Sequence, residues 1–290
     1  MSEREGLEIS DPSATIDQEK REKHFVIISG GSQGIGRGIT ESLLRGEGAD
    51  IAICSRTQEK LEAVSENFPK LITERVDLSD PAEAHGFVVR ATERLGGLDT
   101  LVLNAGITGV EQIPNETPDQ TRRRKEQVFD VNTVAPVAMI QAARPYLKES
   151  GGTIVFLTSR FAQMENPPAS AAAYAHSKKT MEQYLDKFTA NPENKGIFVF
   201  SVDPGSVDTQ LRQDIIARGP KELAEIAVRE RDAGLLAPPE LIGDIISKMT
   251  TLRNRWNPKT QEYDLPIKNG ERVEISRVQV ESELAKIKKV

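Results

Sequence analysis

His24–Ile28 is a short apolar run that ends abruptly in Ser29-Gly30-Gly31-Ser32-Gln33-Gly34-Ile35-Gly36. Beyond that turn the pattern changes: Ile35, Ile39 and Leu43 recur every fourth residue, while Arg37, Glu41 and Arg45 fall between them. Such spacing predicts a helix with one buried and one solvated face, fed by a short buried strand. Further strands are expected at Ala49–Ser55, Ile72–Val76, Leu101–Leu103 and Phe198–Val202, with helix-length stretches between them. Strands that alternate with helices specify a parallel sheet covered on both faces, so residues 23–250 are expected to form one doubly wound α/β domain.

The ends depart from this alternation. Residues 1–22, with Glu3, Arg4, Glu5, Asp11 and the charges of 20–23, read as a polar extension. In 206–236, Leu211, Ile215, Ile216, Leu223, Ile226 and Val228 recur at helical intervals, and Gly219-Pro220 and Gly234 provide breaks. Pro238-Pro239 precedes a last helix from Leu241 to about Leu252. In 251–290 a C-terminal strand is expected within 261–267, then a turn at Asn269-Gly270 and a terminal helix over Glu281–Lys289.

The 290 residues suffice for one large core, and 38 basic against 44 acidic residues give a net charge of −6. That balance offers no broad basic field for nucleic acid. The run Arg122-Arg123-Arg124-Lys125 precedes a helical stripe at Val128, Val131, Ala135 and Ala138. It reads as a solvated first turn or an oligomer contact; basic charge at a helix start opposes the macrodipole, pointing to a partner or to a helix that begins elsewhere. The single cysteine, Cys54, lies in an apolar strand and reads as a small buried hydrophobe. Three scattered histidines suggest no metal site. No apolar stretch is long enough to span a bilayer and the amino end is too charged for a signal peptide, so a cytoplasmic protein is expected.

The chemistry concentrates in Ser159 and in Tyr174-Ala175-His176-Ser177-Lys178. Tyr and Lys four apart project from one helix face. A lysine ammonium beside a phenol, whose free pKa is about 10, favours the phenolate and brings that pKa toward neutrality. A serine hydroxyl could hold a carbonyl oxygen where the tyrosine protonates it. The strand, glycine turn and amphipathic helix supply a context for a dinucleotide, since glycines let a pyrophosphate approach backbone N–H groups at a helix N-terminus.

Three residues separate Gly30 from Gly34 and one separates Gly34 from Gly36. With Asn104-Ala105-Gly106 after the Leu101–Leu103 strand and the Ser159/Tyr174/Lys178 set, the chain resembles the compact, single-domain short-chain dehydrogenase/reductase family over about residues 23–250. The resemblance implies a Rossmann-type fold in which Ser159 orients a carbonyl, Tyr174 is the acid-base, and Lys178 lowers its pKa and holds the nicotinamide ribose. Asn132 matches the family's asparagine that supports a water relay to the lysine. The cofactor would lie along Gly30, Ser32, Gln33, Gly34, Ile35 and Gly36, with Asn104, Ala105 and Gly106 on its adenine-ribose side and Asp77 and Leu78 beside the adenine. Pro204, Gly205, Val207 and Thr209 would border the nicotinamide, and 206–236 would be the substrate lid. Asp77 could instead open a turn with Ser79-Asp80-Pro81, and Asn132 could satisfy nearby backbone groups.

Three positions depart from the family pattern: Ser29 replaces its opening threonine, Leu103 precedes Asn104 where a second asparagine is usual, and Arg160–Ala173 is slightly long and holds Pro167-Pro168. The tail also lacks the Asp-Gly-Gly that closes the last strand in tetrameric relatives. At the end of the second strand, Ser55-Arg56 stands where an acid would favour NAD(H), so NADP(H) is expected, with NAD(H) the alternative. Gln33, where some NADP-dependent relatives carry a basic residue, argues the other way. The expected reaction is reduction of a small ketone or aldehyde, or its reverse. A 3-oxoacyl thioester reductase, an NAD-dependent alcohol dehydrogenase and a nucleotide-binding regulator without turnover are the alternatives. A homodimer through the helices of Asn132 and Tyr174, or a homotetramer, is expected.

Overall fold

The computed structural model describes residues 23–46, 48–110, 115–251, 256–257, 262–263 and 268–275. The polar extension over 1–22 and the terminal helix expected at Glu281–Lys289 lie outside the described residues. Six strands form along the chain: β1 (His24–Ser29), β2 (Ala49–Ser55), β3 (Ile72–Arg75), β4 (Thr100–Leu103), β5 (Thr153–Leu157) and β6 (Phe198–Asp203), of which all but β5 were expected from the sequence. The intervening helices are α1 (Gly34–Arg45), α2 (Gln58–Ser65), α3 (Pro81–Leu95), α4 (Pro118–Phe129), α5 (Ala135–Ser150) and α6 (Ala172–Ala190). After β6 come α7 (Gln210–Arg218), α8 (Lys221–Asp232) and α9 (Pro239–Thr251).

Two short strands, β7 (Trp256–Asn257) and β8 (Glu262–Tyr263), pair antiparallel, and β9 (Glu271–Glu274) completes the main sheet. That sheet is parallel throughout, in the order β3-β2-β1-β4-β5-β6-β9. The order reverses between β1 and β4, which opens a crevice at their carboxyl ends. The fold is therefore Rossmann-like, as the alternation of strands and helices implies.

Alternate strand residues divide into two cores. Ile27, Leu101 and Phe156 face α3, α5 and α6, while Val26, Ile28 and Val102 face α1, α2 and α9. A buried Ile, Val or Phe contributes about 1.5–3 kcal/mol, so strands buried on both faces hold the sheet without alternating polarity. α1 and α9 touch backbone to backbone: a Cβ on Gly38 would lie 2.5 Å from the Pro239 carbonyl oxygen, and one on Gly243 would lie 2.2 Å from the Gly38 carbonyl carbon.

The last sheet strand departs from expectation. It is Glu271–Glu274, and within the expected 261–267 strand Glu262–Tyr263 instead pairs with Trp256–Asn257. β9 lies at a sheet edge, where only one of its faces meets a core: Val273 packs against the second core, and Arg272 reaches carboxylates on the other side. The Asn269-Gly270 turn forms, with Gly270 at φ 83° and Asn269 Oδ1 accepting from Val199 N at 2.8 Å.

The basic run does not open its helix. α4 starts at Pro118 behind the Thr117 cap, where Thr117 Oγ1 accepts from Gln120 N and Gln120 Oε1 accepts from Thr117 N. Asp119 stands in the first turn; Arg122 pairs with Glu126 at 2.7 Å and Arg124 with Glu116 at 2.7 Å. The conflict with the helix macrodipole is thereby removed.

Candidate active site

The glycine turn leaves β1 and enters α1 at the crevice. Gly30 has φ 67°, a conformation open to glycine, and Gly36 lies so close to the Gly30 carbonyl that a Cβ there would stand 2.2 Å from its oxygen. The Asn104 side-chain nitrogen donates to Ser29 O at 3.0 Å and Gly30 O at 3.1 Å, tying the loop after β4 to this turn. Ser29 Oγ accepts from the backbone N–H groups of Asn104 (3.0 Å) and Ala105 (3.1 Å), so serine here does retain a local hydrogen-bonding role. The first turn of α1 carries no acidic residue, and Ser32 Oγ is buried without a hydrogen-bond partner. A buried hydroxyl left unmatched beside open helix N–H groups suits an anionic ligand such as a pyrophosphate. The residues therefore fit a dinucleotide. Ile35 packs on the second core and Leu78 on the first.

At the end of β2, Ser55 is half-buried and Arg56 exposed. Lys60, from the first turn of α2, reaches back to hydrogen-bond Gln33 Oε1. Sequence reasoning missed Lys60, a basic residue brought to position 33 from 27 residues away. Asp77 follows the turn alternative, since its Oδ1 accepts from Ser79 N (2.9 Å) and Ser79 Oγ (2.8 Å), bonds that hold its pKa below the usual carboxylate value.

Ser159 follows β5 and caps a short 3₁₀ turn, Arg160–Gln163, accepting from Phe161 N at 3.3 Å. Tyr174 and Lys178 lie one turn apart on α6, and the Phe161 ring meets Tyr174 edge to face with centroids 6.0 Å apart. Burial pushes the Tyr174 pKa up, opposed by a hydrogen bond with Ser159 and assisted by the nearby Asp203 charge. Lys178 is 3% exposed; its Nζ donates to Leu157 O at 2.7 Å and lies 4.8 Å from the Phe156 ring centroid. Burial brings its pKa down to about 8, opposed by Glu182. The expected lowering of the phenol pKa by lysine is thus not what this arrangement shows. The ammonium is directed to a backbone carbonyl, and desolvation disfavours the phenolate.

Asn132 lies in a π-helical turn, Asp130–Val134, between α4 and α5. It is fully buried, accepts from Ile107 N at 2.9 Å, and donates to Ile107 O at 2.8 Å and Ser177 Oγ at 3.0 Å. Ser177 Oγ in turn donates to Tyr174 O at 2.8 Å. Gly106 closes this group, since a Cβ there would lie 3.3 Å from both Asn132 Oδ1 and Lys178 Nζ. The wider turn lets Asn132 reach the β4 loop and α6 together, the kind of role π-turns serve at functional sites. Its amide does satisfy backbone groups, and it does so against α6. His176 is exposed.

Asp203-Pro204-Gly205 ends β6, with Gly205 N donating to Asp203 Oδ1 at 3.1 Å. Val207 forms a parallel bridge with Ala237, and Thr209 caps α7, accepting from Arg212 N at 3.4 Å. Thr209 also faces the glycine turn, 3.3 Å from where a Gly34 Cβ would stand. α7 and α8 form the segment expected as a lid. Ile215 and Phe161 pack against Val110, Ala171 and Leu223, while Arg160 Nη2 donates to Glu230 Oε1 at 3.0 Å and Ser206 Oγ to Glu230 Oε2 at 2.9 Å. Cys54 is fully buried, its thiol pKa pushed up to about 12. Among the described residues no group of His, Cys, Asp and Glu could hold a metal, and no helix is long and apolar enough to cross a membrane.

Comparison with known proteins agrees with this geometry. The chain is 28% identical over 214 residues to L-fucose dehydrogenase of Bos taurus, covering 74% of this chain and 75% of that one. It is 32% identical over 217 residues to 11-beta-hydroxysteroid dehydrogenase 1A of Arabidopsis thaliana, covering 72% of this chain but 60% of the relative. A short chain dehydrogenase from Burkholderia cenocepacia, solved in complex with NADP, superposes with a TM-score of 0.69 at 27% identity, covering 89% of this chain and 98% of that one. The family model described as short chain dehydrogenase matches residues 24–219, a span from β1 to just past α7 that holds the glycine turn, Asn132, Ser159, Tyr174 and Lys178. The chain accordingly belongs to the short-chain dehydrogenase family of oxidoreductases.

Proposed function

We propose that the protein is an NADP(H)-dependent carbonyl reductase, or in reverse an alcohol dehydrogenase, acting on a small ketone or aldehyde. The observation that carries this reading is the convergence of Ser159, Tyr174 and a buried Lys178 beside a glycine cradle with an unmatched Ser32 hydroxyl. A bound nicotinamide would supply the hydride. Ser159 would hold the substrate oxygen, and Tyr174, whose raised pKa keeps its proton at neutral pH, would deliver that proton as the alcohol forms. Lys178, close to Gly106 and Asn132, would hold ribose hydroxyls and recharge the tyrosine.

NADP(H) is favoured over NAD(H) by the absence of an acid at Ser55, by the adjacent Arg56 and by Lys60 at Gln33, donors suited to a 2′-phosphate. The proposed assembly is a homodimer through the helices flanking Asn132 and Tyr174, or a tetramer; Val134, 41% exposed beside Asn132, is an apolar residue such a contact would cover.

The test is NADPH oxidation against ketones, aldehydes, diketones and acyl thioesters. Tyr174→Phe is expected to lower turnover by about two to four orders of magnitude while NADPH still binds. Normal turnover in that variant would overturn the mechanism.

A further inference from the structure

Beneath α6 lies a charged cluster that the sequence pattern did not single out and whose cation falls outside the family match. Asp203, at the end of β6, is 2% exposed; its Oδ2 accepts from Arg272 Nη2 at 2.6 Å and its Oδ1 from Gly205 N at 3.1 Å. Glu182 stands one turn beyond Lys178 on α6. Its Oε1 accepts from Thr158 Oγ1 at 2.6 Å and Arg272 Nε at 3.2 Å, and its Oε2 from Gln163 Nε2 at 2.6 Å. One guanidinium thus spans two carboxylates that belong to the two elements carrying the site. Arg272 lies on β9, outside the matched span of 24–219.

These carboxylates act on the reacting pair in the same sense. Asp203 disfavours the Tyr174 phenolate, and Glu182 favours the charged form of Lys178. Other groups around the pair are neutral or turned away. Ser159, Thr158 and Gln163 approach from β5 and the 3₁₀ turn and Asn132 from the π-turn; Arg160 is turned to Glu230, and His176 faces solvent.

We propose that Arg272 is a positioning residue for Tyr174 and Lys178: by neutralising Asp203 and Glu182 it sets the pH at which the pair exchanges its proton. The proposal deepens the reductase reading and rests on Tyr174 being the acid-base. Without the guanidinium, two poorly hydrated carboxylates would face the pair uncompensated. Both would hold its proton more tightly, so the apparent pKa, a property of the coupled pair, would rise. The same guanidinium fixes the Asp203 carboxylate that receives the Gly205 N–H, and so steadies the turn after β6.

The experiment compares the parent with Arg272→Met, Arg272→Lys, Asp203→Asn and the Arg272→Met/Asp203→Asn double variant. Two readouts are used: the pH profile of kcat/KM with NADP(H), and the ionisation of Tyr174 followed without cofactor as the tyrosinate absorbance lost in a matched Tyr174→Phe background. Arg272→Met should move both upward by about one pH unit or more, Arg272→Lys should restore most of the shift, and adding Asp203→Asn should reverse much of it. Asp203→Asn alone should move both readouts down, which keeps the idea testable if Arg272→Met does not fold. Unchanged ionisation in Arg272→Met, with only a lower Tm, would overturn the proposal and leave Arg272 a clip on the strand. No shift in Asp203→Asn would overturn it equally. Failure of the reductase reading would look different: turnover insensitive to Tyr174→Phe, whatever the ionisation shows.

Discussion

Lys178 makes the cost of the site visible in a single side chain. Its pKa is about 8 when folded and 10.5 ordinarily, so between those values the unfolded chain binds a proton that the folded chain has released. Stability should therefore rise with pH across that window, by about 3 kcal/mol at most, and the gain is absent below pH 8, where both states are charged. Lys178→Met removes the titration; urea unfolding at pH 8 and pH 10.5 should show the parent gaining relative to the variant, and parallel behaviour would mean the ammonium is better solvated than its burial implies. Arg56 and Lys60 invite a second comparison. Alanine at either should weaken NADPH about 10- to 100-fold and leave NADH nearly unchanged, as titration of each cofactor would reveal. Equal weakening of both cofactors would make these residues structural. Tyr174, Lys178 and the glycine turn were legible in the sequence because their relations are local: four residues on a helix and seven along a turn. Lys60 was not, because contact between α2 and the glycine turn depends on how β2 returns the chain beside β1.

Among the elements, the helical spacing read in 206–236 is met by α7 and α8, but which residues touch the site depends on how the helices dock. Ile215 joins the cluster of Phe161, whose ring meets Tyr174, whereas Leu211, half-buried like Ile215, stays outside that cluster. Ile215→Ala should accordingly raise KM for bulky carbonyls more than for small ones, with Leu211→Ala having the smaller effect. An unchanged ratio of kcat/KM between large and small substrates, with a lower Tm, would show that the face packs only on the protein. Glu230 ties α8 to the loops after β5 and β6 by accepting from Arg160 and Ser206. Glu230→Gln keeps the shape but loses the charge, and faster proteolysis within α7–α8 than in the parent would confirm the tie. The π-turn escaped the sequence because the stripe Val128, Val131, Ala135, Ala138 is compatible with one uninterrupted α-helix. The extra residue per turn is decided by Asn132 bonding Ile107 and Ser177 together.

Over the whole molecule, the parallel sheet covered by helices followed from alternation, whereas β5 and the last strand did not. Glu-Arg-Val-Glu carries a single apolar residue, and its place in the sheet rests on partners 69 and 90 residues away. Pattern reasoning favours the more apolar 261–267 stretch because it weighs burial, whereas an edge strand beside a charged site is held in part by ion pairs. The glycine contact between α1 and α9 has a consequence of another kind. With no side chains between Gly38 and Gly243, the two helices meet without a compressible layer, and α1 cannot shift without displacing α9. Amide hydrogen exchange should report this as one cooperative unit. A dinucleotide bound at the N-terminus of α1 would slow exchange in α9, on the far side of that helix crossing, as strongly as in α1 itself.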